Sequence, residues 1–165
     1  MLRMIFTQQQ VKDTCNTIAP IYKFDPLLIF AVCLQEGGRN KSGEFTPDMA
    51  RLEQGFYLRY VEKNDLPTTT EILLSASYGV MQIMGLNLLR LKFFEFYFNQ
   101  SPIGLQAVLK EPVSQFGVVS GIDAFCENLS WQIEYGCRLM TEKREKANGD
   151  TRQMLLNWNG GGNKK

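Results

Sequence analysis

Three short segments hold the residue types that could do chemistry. Glu36 follows the run Leu27 to Leu34, eight apolar residues in a row, and continues the helical stripe of Ile29 and Val32/Cys33. A carboxylic acid held against apolar walls has its charged form disfavoured, so it keeps its proton into the range where a general acid works. Protonating a glycosidic oxygen requires that. An end-of-helix glutamate turned to solvent would show the same pattern. The second segment runs Ser77-Tyr78-Gly79-Val80-Met81-Gln82-Ile83-Met84-Gly85, a lone amide among methionines and aliphatics. Gln82 can donate and accept at once, which suits the N-acetyl and hydroxyl groups of an amino sugar, and thioethers such as Met81 make an adaptable wall. A buried turn with Gln82 satisfied by backbone is the alternative. The third is Asn157-Trp158-Asn159-Gly160-Gly161-Gly162. Here Trp158 could stack on a sugar ring and Asn159 could orient a carboxylate or acetamido group, or the residues could form a plain helix end.

The chain contains no histidine, which excludes Ser-His-Asp triads, Cys-His dyads and His-based metal sites together. The glycines after Asn159 end a helix instead of opening one, which excludes a phosphate cradle. Cys15, Cys33, Cys126 and Cys137 have no CxxC spacing and lie in apolar stretches. They read as buried thiols ahead of disulfides, metal ligands or nucleophiles.

The elements that must position these groups read as helices. Thr7 and Gln10 make a capping box ahead of Val11, Cys15 and Ile18, with Pro20 as a break. Asp25-Pro26 reads as an N-cap with proline at the first helical position, and Gly37-Gly38 as a stop, so Leu27 to Leu34 is expected to be the central core helix, apolar on all sides. Residues 39–70 read as a long irregular excursion with a short hairpin near Arg51 to Tyr57, its place within 41–70 set by turn residues. Further helices are expected over 70–75, 87–98, 102–109, 113–127, 130–147 and 150–158, with Gly79 to Met84 a turn. The fold class is all-α, in one domain over 1–165.

In this order the segments resemble the soluble lytic transglycosylase catalytic domain, a lysozyme-like family related to goose-type lysozyme. The resemblance runs through Tyr22 to Leu28, Leu34 to Asn40, Tyr78 to Met84, Trp131 to Leu139 and Asn157 to Gly161. The excursion with Arg51-Leu52-Glu53, together with Met84-Gly85, looks like the variety found in bacteriophage enzymes. The resemblance implies a lysozyme-like α-helical domain with a substrate cleft, Glu36 as the sole catalytic carboxylate, Gln82 binding glycan and Asn159 beside the catalytic site. Tyr78, Met81 and Trp158 join the candidate substrate-binding set. Two positions depart from the family pattern: Gly37 stands where it usually has serine, and Trp158 where it usually has tyrosine.

A family member of this kind needs one carboxylate and no cofactor or metal. A hydrolytic muramidase would need a second carboxylate, with Glu44, Asp48 and Glu53 as candidates. A non-catalytic peptidoglycan-binding module is the reading from another class. Apolar residues at 44%, charged residues at 21% and a net charge of +1 fit an ordinary globular protein and offer no field for nucleic acid. The expected partner is the peptidoglycan glycan strand, without stable membrane insertion, the protein acting as a monomer or within a larger virion or secretion assembly. The N-terminal residues lack the apolar core of a signal peptide. Synthesis in the cytoplasm and action on the cell wall, in the periplasm or from a virion, is the corresponding expectation.

Overall fold

The computed structural model describes residues 4–47, 51–52, 68–100 and 115–158. These are mostly helical, with one small sheet. Helix α1 (Gln8–Ile18) opens with the expected capping box: the Gln10 amide donates to Thr7 Oγ1 (3.1 Å) and the Thr7 amide to Gln10 Oε1 (2.8 Å). Its proline ends it, and a 3-10 turn (Ala19–Tyr22) leads to Lys23, which is left-handed at φ 58°. Helix α2 (Pro26–Glu36) begins at Asp25, whose carboxylate accepts from the Leu27 amide at 2.9 Å.

The later helices are α3 (Thr68–Ser75), α4 (Gly85–Arg90), α5 (Phe93–Gln100), α6 (Gln115–Glu127), α7 (Leu129–Lys146) and α8 (Thr151–Trp158). Between them lies an antiparallel sheet in the order β1 (Arg51–Leu52), β2 (Ala76–Tyr78), β3 (Ile83–Met84). Arg51 pairs with Ser77, and Tyr78 with Ile83. The β2–β3 connection is the turn expected after Gly79. The helix expected over 102–109 lies outside the described residues.

Two expectations are corrected. The central helix is α7, not α2. Gln132, Ile133, Tyr135, Gly136, Cys137, Leu139 and Met140 of α7 are all buried, and the helix touches α1, α6, α8, the 3-10 turn and β3. Helix α2 buries one face, Ile29, Val32 and Cys33, and opens the other: Leu27 is 60% exposed, with Ala31 and Gln35 exposed below it. An apolar run reports composition, and its neighbours decide which face is covered.

The helix expected over 87–98 is broken in two at Leu91 and Lys92, with Lys92 at φ 60°. On one straight helix Leu88 and Phe93 would point about 140° apart. The break lets both be fully buried, beside Phe94 and Phe98. Phe93 then becomes the hub of the aromatic core, edge-on to Phe125 and Tyr135 (both 5.2 Å between centroids) and to Trp131 (5.6 Å).

Ahead of β1 the chain reverses over residues 39–45. Arg39 and Phe6 each bridge to Phe45, and Asn40 Oδ1 closes the loop by accepting from the Ser42 and Glu44 amides. Strand β1 starts at Arg51 as expected but pairs with β2; the rest of the expected hairpin lies outside the described residues.

All four cysteines are free and buried. A hydrogen bond with Cys15 and burial push the Cys33 thiol well up, and burial raises Cys137 from 9.0 to about 12. A folded-state value above the unfolded one means that the native thiol holds its proton more tightly. That stabilisation is whole below pH 9 and is lost between pH 9 and about 12. The native protein should therefore resist a thiol-specific reagent at pH 8, become labelled at four sites in denaturant, and lose melting temperature through that alkaline window, less steeply in Cys137→Ala.

Candidate functional site

Glu36 is the last residue of α2 and is half-buried. It continues the face of Ile29, Val32 and Cys33, whereas its neighbour Gln35 is exposed, so the helical stripe carries it toward the core side of α2. The helix stops because Gly37 turns extended (ψ 130°), its amide still donating to the Cys33 carbonyl at 2.8 Å.

The following strap, 37–47, is held at both ends. The Thr46 amide and hydroxyl donate to the Gly38 carbonyl (2.9 and 3.2 Å), and Phe45 exchanges two backbone hydrogen bonds with Phe6 (2.8 and 3.0 Å). Phe45 is fully buried, and its ring lies 2.7 Å from where a Cβ on Gly37 would stand. The glycine after the acid thus admits an aromatic ring of this chain itself. A serine at this position would have to displace that ring.

The strap reaches the second segment directly: the Gly79 amide donates to the Pro47 carbonyl at 3.1 Å. Within the turn, Gly79 is left-handed at φ 77° and Gln82, unusually for a residue with a side chain, at φ 47°. The Gln82 amide and its side-chain Nε2 both donate to the Gly79 carbonyl (3.2 and 3.1 Å), and the side chain is half-buried. One backbone hydrogen bond therefore connects the strap that follows Glu36 to the turn that carries Gln82.

The other predicted residues are placed differently. Tyr78 is buried, its hydroxyl donating to the Leu73 carbonyl at 2.9 Å, and burial raises its pKa further. Met81 is fully buried, its sulfur filling the space where a Cβ on Gly136 would be. Both are buried here and pack beneath the turn. Trp158 ends α8, half-buried against the core, and Lys143 Nζ donates to the preceding Asn157 carbonyl at 2.9 Å. Helix α8 itself is held to α7 by the buried Met154. Asn159, Asp48 and Glu53 lie outside the described residues. The Glu44 carboxylate accepts from Asn40 Nδ2 at 2.9 Å, which holds it on its own loop.

Sequence reasoning missed Gln132. It is fully buried on α7 and reaches the turn, its Oε1 accepting from the Val80 amide at 2.9 Å. The signal was present, because Gln132 is a neutral amide on the same helical face as Tyr135, Gly136 and Leu139. Among the described residues no group of three or more Cys, Asp or Glu is arranged to hold a metal. No described helix is long and apolar enough to cross a membrane. A separate depression of about 330 Å³, lined by Tyr97, Ser120, Asp123 and Glu127 among others, includes none of the predicted site residues.

No family model, no curated protein and no solved structure matches this chain.

The close contact at Gly37 carries a prediction. Serine or alanine there must displace a buried ring, and overpacking of this kind costs about 1–3 kcal/mol. Gly37→Ser should lower the denaturation midpoint by a corresponding amount, and combining it with Phe45→Leu should recover part of the loss.

Proposed function

We propose that this chain is a lysozyme-like peptidoglycan lytic transglycosylase with Glu36 as its single acid/base. The observation that carries the reading is the link from the strap after Glu36 to the Gln82 turn, through the Gly79–Pro47 hydrogen bond. The strap that continues from the Glu36 segment and the turn of the Gln82 segment, distant in sequence, thereby meet in space. The half-buried position of Glu36 on the inward stripe of an otherwise uncharged run adds support.

The substrate is the β-1,4 bond between N-acetylmuramic acid and N-acetylglucosamine. Glu36, protonated, gives its proton to the glycosidic oxygen as the bond from C1 breaks, and the acetamido oxygen of the muramic acid residue stabilises C1. The carboxylate then takes the proton of the C6 hydroxyl as that oxygen bonds to C1, leaving a 1,6-anhydro sugar and the restored acid. No water enters and no second carboxylate is needed. Gln82, a paired donor and acceptor on a constrained turn, suits the amide and hydroxyl groups of the sugar. With Gly37 in place of serine, no hydroxyl at that position orients the acid, and the strap that packs Phe45 on Gly37 takes over part of that task.

Glu36→Gln should keep its circular dichroism and melting behaviour and lose lysis of peptidoglycan in a zymogram by about a hundredfold or more, the usual scale for general acid–base catalysis. Retained lysis would sink the assignment. Mass spectra of the wild-type digest should show anhydro ends, one water lighter than reducing ends. Reducing ends would mean a hydrolase drawing on Glu44, Asp48 or Glu53, and glycan binding without soluble products would mean a non-catalytic module.

A further inference from the structure

We infer that Gln132 is the positioning residue of the glycan-binding turn: one buried amide on α7 sets the backbone from which Gln82 meets substrate. The inference rests on the reading of Gln82 as a glycan ligand given above.

A neutral side-chain amide has an acceptor oxygen and two N–H donors. Gln132 uses all of them. Its Oε1 accepts from the Val80 amide (2.9 Å), and its Nε2 donates to the carbonyls of Phe125 (3.0 Å) and Cys126 (2.9 Å). Those two carbonyls belong to the last turn of α6, where a helix leaves carbonyls without intrahelical partners. The Val80 amide lies in a tight turn that offers it no ladder partner. A single side chain therefore satisfies three buried backbone groups on two separate elements, and it does so from the central helix.

The fit is close as well as polar. A Cβ on Gly79 would stand 2.9 Å from Gln132 Oε1 and 3.0 Å from its Cγ, so the turn rests directly on the amide. Gln82 comes two residues after Val80, and its positive φ is a conformation that persists only where the surroundings impose it. The Gln82 amide and side chain close on the Gly79 carbonyl, and Gln132 beneath and the Pro47 carbonyl alongside hold Val80 and Gly79, on which that closure is built. Asparagine is one methylene too short to span both elements, glutamate cannot donate to two carbonyls, and methionine keeps the shape but makes none of the hydrogen bonds.

The test uses the full chain carrying Glu36→Gln, so that glycan is bound without turnover, titrated with a soluble strand of alternating N-acetylglucosamine and N-acetylmuramic acid. Gln132→Met should weaken binding about tenfold, which is about 1.4 kcal/mol. It should also speed hydrogen exchange at the Val80 amide. Leu139→Ala, on α7 away from the turn, serves as a control for lost stability and should bind within about twofold of the parent. Gly79→Ala presses a methyl group onto the same amide from the other side; it should reproduce the loss, and it decides the matter if Gln132→Met does not fold. Adding Gln82→Ala to Gln132→Met should cost little more than Gln82→Ala alone, because both act through one contact. Binding by Gln132→Met equal to the Leu139→Ala control, or losses that simply add, overturns the inference while leaving the function standing. A parent that binds no glycan at all overturns both.

Discussion

The turn between β2 and β3 is buried, and a buried turn must find partners for backbone groups that neither helix nor sheet supplies. Here two of the partners come from elsewhere in the chain. The Gly79 amide uses the Pro47 carbonyl, the Val80 amide uses the Gln132 side chain, and the Gln82 amide returns to the Gly79 carbonyl. The first two choices tie the turn to other parts of the molecule: the strap after α2, the central helix α7 and, through the other end of the Gln132 amide, the last turn of α6. A buried donor left without a partner costs about 1–3 kcal/mol, so these few bonds set the position of the turn more firmly than its own short strands can.

Around this joint the core divides by chemistry. On the side of α5 and α6 it is aromatic, with Phe93 surrounded edge-on by Phe94, Phe125, Trp131 and Tyr135. On the side of α1 and α2 it is small and sulfur-rich, with Cys15 close enough to Cys33 and Cys137 to help raise the pKa of each. Helix α7 serves both sides, and its surface adds a third layer. Glu134 and Arg138 pair with each other, and both meet the Tyr22 hydroxyl (3.2 and 3.3 Å). Arg144 donates to the carbonyls of Tyr22 and Lys23 while stacking on Phe24. These contacts fix the left-handed corner at Lys23 and so the start of α2, the helix that ends in Glu36.

The local signals of α2 were legible because they are short-range. Asp25, Pro26 and Gly37 act within a few residues of the helix ends they mark, and the structure places the ends there. The rank of α2 in the fold was not legible. A run of eight apolar residues suggested a helix enclosed on all sides, yet Leu27 and Ala31 stay exposed, while α7, studded with Glu134, Arg138 and Glu142, occupies the centre. Long charged side chains can leave a buried stripe by the helix flank, so composition alone misjudges such an element. The same limit applied to Tyr78 and Met81. Their types suit a sugar-binding wall, and only their neighbours Leu73 and Gly136 show that they face inward.

By itself the sequence determined the start of α1, both ends of α2, the free thiols and the ordered set of Glu36, the Gln82 turn and the Trp158 end, because these depend on residue type at short spacing. Tertiary structure alone decided which segments meet. The strap after Glu36 and the turn of Gln82 meet through a hydrogen bond between Pro47 and Gly79, and the turn rests on Gln132, 52 residues beyond its Val80 partner. Neither contact has a local signature, since a backbone carbonyl carries no sequence information and a glutamine's partner is chosen by what folding brings within reach of it.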